Sequence, residues 1–346
     1  MNYKSIFNLL GILLGIFSLS FVPPIVLAFA YEESSKDIFL YSFIFFAILG
    51  ASIWTATRQE NLPLNISDGF IITTLFWVVL ACAGSIPFYF FGLNISDAIF
   101  ESVSGITTTG ATTIIGLDNL PKSILLYRQL LQWIGGMGLI VLAVAVMPAL
   151  GIGGGQLYKM ELPGSHGNQK LTPKITDSAK ALWKIYVGLT LMCAILYLLS
   201  GMNLFDSIAH SLTTVAGGGF STHDESIGFF NSTLIEAVCI IFMLLSAASF
   251  AVHYAAIFGG KPLKYFYDSE FKFFLSVVLL IIIVSLIVHG VSNSFSDVFS
   301  LFSSTIFHVV SIVTTSGFTT ENFSLWPGFL PYLLLVGAFM GACSQS

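Results

Sequence analysis

Eight stretches of this chain run for about twenty residues or more with hardly a charge, the length of helix that crosses a bilayer's hydrocarbon core. They fall at about 5–30, 37–57, 69–92, 122–150, 180–201, 229–258, 270–291 and 326–346. Composition agrees: 55% of the residues are hydrophobic, 9% are charged and the mean hydropathy is +0.89, against roughly 25% charged in a soluble domain. So few charges cannot cover a soluble surface of this size. A disordered protein, a nucleic-acid binder and an ordinary cytosolic enzyme are excluded, and most of the chain must face lipid. The expected fold is an all-α polytopic membrane protein. Lys4, the apolar run after it and Ala28-Phe29-Ala30 have the outline of a secretion signal. The run from Ile6 to Val22 is long for one, so we expect an uncleaved first membrane helix.

Lysine and arginine placement sets the orientation. With the N-terminus inside, Lys4, Arg58, Lys159, Lys170, Lys174, Lys180, Lys184, Lys261, Lys264 and Lys272, ten of the 13 basic residues, are cytoplasmic. The acidic residues lean outward, which gives the outer face an anionic character that concentrates cations. Cys82, Cys193, Cys239 and Cys343 lie in apolar stretches with no metal-ligand or redox spacing, and read as small buried hydrophobes.

Three outer connections repeat one pattern. Aligned without gaps on a glycine, they read Glu101-SVSGITTTG-Ala111-Thr112-Thr113, His210-SLTTVAGGG-Phe220-Ser221-Thr222 and His308-VVSIVTTSG-Phe318-Thr319-Thr320. The shared glycines, Gly110, Gly219 and Gly317, stand 109 and 98 residues apart, one span–loop–span unit each. The apolar segments before them, 97–107, 206–216 and roughly 300–314, are too short to span. Each is expected to enter the membrane as a half-helix and return as extended chain. Non-helical backbone at that depth survives only inside protein or beside water. Glycine permits unusual dihedrals, small neighbours leave carbonyls free, and carbonyl rings can replace a cation's hydration shell. Half-helix C-termini carry partial negative charge, so a monovalent cation is the expected cargo.

The stretches TTTGAT at 107–112, AGGGFSTHD at 216–224 and TTSGFTT at 314–320 resemble the Trk/Ktr/HKT superfamily of potassium uptake proteins. So do QWIGGMG at 132–138 and SFAVHY at 249–254. The resemblance implies four helix–pore loop–helix units around one pore, with 1–60 as two extra N-terminal helices in the TrkH manner. It further implies an inner-membrane homodimer and a cytosolic nucleotide-binding regulatory ring of the TrkA/KtrA type, with no cofactor in this chain. Gly110 goes with potassium selectivity. The implied filter is Thr108, Thr109 and Gly110, then Gly217, Gly218 and Gly219, then Thr315, Ser316 and Gly317, with potassium bound at these residues. The units correspond to 61–150, 180–258 and 270–346. A fourth has no counterpart, and the sequence stops at Ser346 within the eighth span, so a chain truncated before its last unit is expected. A truncated non-conducting subunit or fragment is the competing reading. An intramembrane enzyme is a remote one, since no HExxH and no GxSxG with its partners occur. An inverted-repeat symporter fits less well, because these repeats keep one orientation.

Other residues stay open between two readings. His210 and His308 share the repeat position that Glu101 holds in the first unit, and read as hydrogen-bonded supports of the half-helix or as a metal or proton-relay site. Asp97 and Asp206 fit an N-cap or first-turn acid, or attract cations at the mouth. Arg128 is an interfacial anchor or the partner of a loop carboxylate. Gly135, Gly136 and Gly138 permit close helix packing. Segment 151–179 is a solvated basic loop or a docking surface, and His253-Tyr254 is a weaker candidate for that contact.

Overall fold

A computed structural model describes residues 3–58, 66–146, 175–260, 263–292 and 298–345. Among these, helices and short 3-10 turns are the regular structure and no strand occurs. The readings that concern 151–174 lie outside the described residues. Among the described residues, five helices are long and apolar enough to cross a membrane: Tyr3–Ala30, Lys36–Thr57, Asp68–Phe91, Lys180–Leu199 and Ser269–Ser292. The described residues divide into two compact units, one up to Lys180 and one from Ala181.

The first unit begins with α1 (Tyr3–Ser18), a 3-10 turn (Leu19–Phe21) and α2 (Val22–Ala30). Pro23 and Pro24 lie in the first turn of α2, where a missing N–H costs nothing, so the first span continues through a change of pitch. Helix α3 (Lys36–Thr57) packs on α1 through glycines. A methyl added at Gly50 would sit 2.7 Å from the Gly15 nitrogen, and one at Gly11 would sit 2.8 Å from the Trp54 nitrogen. Helices without side chains between them approach closely enough to gain packing that lipid cannot match.

Helices α4 (Ile66–Phe91) and α6 (Lys122–Val146) flank the first half-helix, α5 (Ile95–Ile106). Tyr127 of α6 is fully buried among Phe21, Phe39 and Phe88, with ring centroids 5.6, 5.3 and 5.2 Å away. Its hydroxyl donates to the Gly84 carbonyl at 3.0 Å. The α2–α3 connection caps α6. Glu33 accepts from the backbone N–H groups of Lys122 and Ser123 at 2.7 and 3.1 Å. It thereby satisfies donors that a helix start leaves open and places negative charge at the positive end of the dipole.

The second unit contains α7 (Ile175–Leu199) from Ala181 onward, then the half-helix α8 (Leu204–Ala216) and α9 (Thr233–Ser246). It continues with α10 (Phe250–Ile257), the short α11 (Lys264–Tyr267) and α12 (Ser269–Ser292). The last elements are the half-helix α13 (Val298–Val313) and α14 (Leu330–Gln345). Helix α13 packs against α9, α12 and α14.

Three expectations need correction. The sixth span is not one helix over 229–258: it breaks between Ser246 and Phe250, where Ser249 turns extended at ψ 144°. His253 bridges the break, with Nε2 2.9 Å from the Leu245 carbonyl and Nδ1 2.7 Å from the Tyr265 hydroxyl. Cys82 is exposed on α4 rather than buried, as residues on a lipid-facing stripe are, whereas Cys193 and Cys239 are buried. The eighth span starts as helix only at Leu330, after a 3-10 turn at Phe323–Leu325.

Replacing Glu33 with Ala should cost about 1–2 kcal/mol through lost capping. Thermal unfolding in detergent should show a lowered midpoint, with Glu33→Gln falling between Ala and the parent because its amide oxygen still accepts.

Candidate functional site: three re-entrant loops

Each half-helix ends the same way, and the sequence makes it do so. Asn94 and Asn203 cap α5 and α8 by accepting from the N–H groups of Asp97 and Asp206 at 2.8 and 2.9 Å. The two aspartates are thus first-turn acids and not the caps themselves. At the far end, the backbone turns left-handed two residues before each glycine, at Thr108 (φ 53°), Gly217 (φ 67°) and Thr315 (φ 60°). It does so again at the glycines: Gly110 (77°), Gly219 (76°) and Gly317 (82°). The residues between them keep negative φ.

The first left-handed residue closes a Schellman motif. Thr108 N–H bonds Gly105 O and Thr109 N–H bonds Ser104 O, at 3.0 and 2.9 Å. In the second loop Gly217 bonds Thr214 and Gly218 bonds Thr213, at 3.1 and 3.0 Å. In the third, Thr315 bonds Ile312 and Ser316 bonds Ser311, at 3.0 and 2.9 Å. A β-branched threonine at positive φ is a steric outlier. Strain of this kind persists only where the surroundings impose it, and it concentrates at functional sites.

Alternating hand has a chemical result. In an ordinary strand successive carbonyls point to opposite sides; alternating positive and negative φ brings them toward one side, where carbonyl oxygens together can face a cation. Among the described residues, no hydrogen bond reaches the carbonyls of Thr108, Thr109, Gly110, Thr315, Ser316 or Gly317. Threonine and serine hydroxyls pair behind this backbone: Thr107 with Thr109 at 2.8 Å, and Thr314 with Ser316 at 3.0 Å.

The residue nine positions before each glycine ties the half-helix to the chain after the glycine. Glu101 accepts from Thr112 at 2.9 and 3.1 Å and pairs with Arg128 Nε at 2.5 Å; both charged side chains are fully buried. Arg128 Nη2 also donates to the Thr112 hydroxyl, 3.1 Å away. Arg128 is therefore no interfacial anchor, because its partner sits inside the protein on the half-helix. His210 places Nδ1 3.0 Å from the Asp206 carbonyl and Nε2 2.9 Å from the Ser221 hydroxyl. His308 places Nδ1 2.9 Å from the Ser304 carbonyl and Nε2 3.2 Å from the Glu321 carbonyl, with the N–H groups of Thr320 and Glu321 3.3 and 3.4 Å from the same Nε2. A carbonyl only accepts, so in His210 Nδ1 carries the proton and Nε2 is left as the acceptor for Ser221. This supports the reading as hydrogen-bonded supports. Among the described residues no group of three or more His, Cys, Asp or Glu could hold a metal.

A second tie runs beside the first. Ser104 donates to Ala111 O at 2.5 Å and Ser311 to Phe318 O at 2.6 Å, in each case the carbonyl just after the glycine. These serines were not singled out in the sequence, yet the alignment carries the signal. A hydroxyl recurs six residues before each glycine (Ser104, Thr213, Ser311) and two after it (Thr112, Ser221, Thr319).

The second and third loops also touch each other. A methyl added at Gly219 would lie 1.7 Å from the Ser316 carbonyl oxygen. Gly228 N–H donates to Thr319 O at 3.1 Å, and Thr319 N–H donates to the Ser226 hydroxyl at 3.3 Å. In the first unit Gly135 has a parallel role: a methyl there would meet the Ile106 carbonyl oxygen at 2.0 Å, so α6 must carry glycine to lie against the end of α5.

Half-helices followed by strained, carbonyl-presenting loops, held between membrane-spanning helices, define a membrane transport protein of the ion-conducting class. The family model described as "TrkH: Cation transport protein" matches residues 35–346, and the chain belongs to that family. The "Trk system potassium uptake protein TrkH" of Vibrio parahaemolyticus is 46% identical over 351 residues, covering 100% of this chain and 72% of that protein. The protein of the same name from Escherichia coli K12 is 44% identical over 349 residues with the same coverage. The crystal structure of the potassium transporter TrkH from Vibrio parahaemolyticus superposes with a TM-score of 0.86 at 44% identity, covering 98% of this chain and 70% of that one.

Gly219→Ala should cost several kcal/mol, because the methyl meets a backbone carbonyl and the left-handed turn together. Gly188→Ala, with no atom within 4 Å of the new methyl, should be neutral or stabilise by up to about 1 kcal/mol through helix propensity. Thermal unfolding of the two variants side by side distinguishes the cases.

Proposed function

We propose that this chain takes up potassium across the cytoplasmic membrane as the ion-translocating subunit of a Trk-type system. The observation that carries the reading is the left–right–left backbone at the same repeat position in all three loops, with carbonyls that, among the described residues, no hydrogen bond reaches in the first and third. The filter in this reading is Thr108, Thr109 and Gly110; Gly217, Gly218 and Gly219; and Thr315, Ser316 and Gly317. Their carbonyls replace part of the hydration shell of a potassium ion, which is cargo and not a resident cofactor. Neutral dipoles suit this task, since a full charge at the filter would bind the ion too tightly to release it. The similarity to potassium uptake proteins over the whole chain supports the choice of ion.

The same reading places the N-terminus and the segment around Lys264 in the cytoplasm, with the loop ends around Glu225 and Glu321 outside. Lipid, a second copy of the chain and a cytosolic nucleotide-binding ring of the TrkA/KtrA type are its implied partners.

Two measurements check these statements. Gly110→Ser in the full-length protein loses the residue best suited to φ 77°. It should lower potassium-over-sodium discrimination about tenfold or more in cells lacking their own potassium uptake systems; unchanged discrimination at normal expression contradicts a filter role for Gly110. For the topology, cysteines at Glu225 and at Tyr267, which is 70% exposed, should react with an impermeant reagent from opposite faces. Labelling of both from outside refutes the orientation.

A further inference from the structure

The tie nine residues before each filter glycine is built in two chemically different ways. In the first loop it is a carboxylate neutralised by a guanidinium, Glu101 with Arg128, fully buried and joined to Thr112. In the second and third loops it is an imidazole, His210 or His308, with Nδ1 on the carbonyl four residues back. What the three share is a polar side chain bonded to the chain just after the glycine: to Thr112 Oγ1, to Ser221 Oγ, and to the backbone of Thr320 and Glu321.

We propose that this position is a specificity-determining positioning site. In each loop an electrically neutral assembly fixes the spacing between the half-helix and the filter strand, and the Glu101–Arg128 pair is functionally interchangeable with histidine. The inference rests on the filter reading given above. Three arguments carry it.

The left-handed residues in between are strained, two of them threonines, so the loop needs an external constraint to hold its shape. The tie spans the base of the strained segment, from Glu101 to Thr112 around Thr108–Gly110, and sets its end-to-end distance.

Neutrality is required by position. A lone carboxylate buried behind a cation filter would draw the ion away from the carbonyls, and a lone imidazolium would repel it. Arg128 removes the first problem. In the second loop the Nδ1 proton of His210 is committed to the Asp206 carbonyl, which leaves Nε2 as the acceptor for Ser221 and removes the second. The pair and a neutral imidazole therefore both tie the chain after the glycine while adding no net charge of their own.

The chain itself supplies the exchange experiment, because the second and third loops run on histidine with no arginine in the tie.

The test compares full-length variants by potassium uptake, by the potassium-over-sodium ratio and by thermal unfolding in detergent. E101H/R128M installs the histidine form in the first loop. It should fold and keep the ion ratio within about threefold of the parent. E101A/R128M removes the acceptor while staying neutral. It should still insert but lose about tenfold or more in the ion ratio. H308F keeps the ring and removes the tie in the third loop, with the same expected loss; it carries the comparison if E101A/R128M fails to fold. A purely structural role would lower the unfolding midpoint and the amount of protein without moving the ion ratio of what remains, and that outcome overturns the proposal. It is equally overturned if E101H/R128M folds but is as unselective as E101A/R128M. If the parent protein itself fails to discriminate potassium from sodium, the filter reading falls instead, which separates the two failures. Single replacement of Arg128 is avoided because it strands a buried carboxylate.

Discussion

The left-handed turn that ends each half-helix is the constraint from which the rest of these loops follows. A helix that simply continued would bury its carbonyls in its own ladder. A helix that frayed would expose them at random. At Thr108, Gly217 and Thr315 the chain reverses hand, and the Schellman bonds consume only the carbonyls six and five residues before the glycine. The carbonyls after that point are left directed and unclaimed in the first and third loops. The second reversal, at Gly110, Gly219 and Gly317, carries the direction on. Around that strained backbone stand its supports: hydroxyl pairs, serine ties across the first and third loops, and a polar side chain nine residues before each glycine.

Electrostatics sets which supports are admissible. At membrane depth a charge must be paired, and breaking a buried pair costs about 3–5 kcal/mol. The first loop accepts that burden with Glu101 and Arg128, both fully buried. The other two avoid it with imidazoles whose Nδ1 atoms lie against the i−4 carbonyls. Asp206 is the exception near the second loop. It is held by Thr222 at 2.7 Å, Asn203 at 2.6 Å and His223 at 3.2 Å, at the beginning of α8, where the helix dipole favours an anion.

Much of this was legible in the sequence because membrane burial and repetition both write periodic signals. The half-helix segments and the register of the three glycines could be read from hydropathy and a gapless alignment, whereas of the eight expected spans five are, among the described residues, long and apolar enough to cross a membrane. Glu101, His210 and His308 could be recognised as equivalent, though not what they touch. Glu33 reaches Lys122 and Ser123 across roughly ninety residues, and no local pattern announces such a cap. The glycine face of Gly11, Gly15 and Gly50 belongs to helices apolar on all sides, where period gives no clue to the contact surface. Arg128 reads from sequence either as an anchor, because it starts a span, or as the partner of a loop carboxylate; its burial depends on the carboxylate of Glu101, 27 residues earlier on another helix. The break after Ser246 is hidden for a related reason: its sequence is apolar throughout, and the interruption rests on His253 and Tyr265.

The contacts between the second and third loops have a consequence for biogenesis. Every tie described for the first loop closes with residues up to Arg128, so that loop can be completed while later segments are still being synthesised. The second cannot. Gly219 packs on Ser316, and the turn at Ser226–Phe230 exchanges hydrogen bonds with Thr319. Nearly a hundred further residues must leave the ribosome and enter the bilayer before these partners arrive. Until then the backbone of the second loop waits at membrane depth with bonds unmade, and this interval is the point in assembly when the nascent protein most needs the shelter of the insertion machinery.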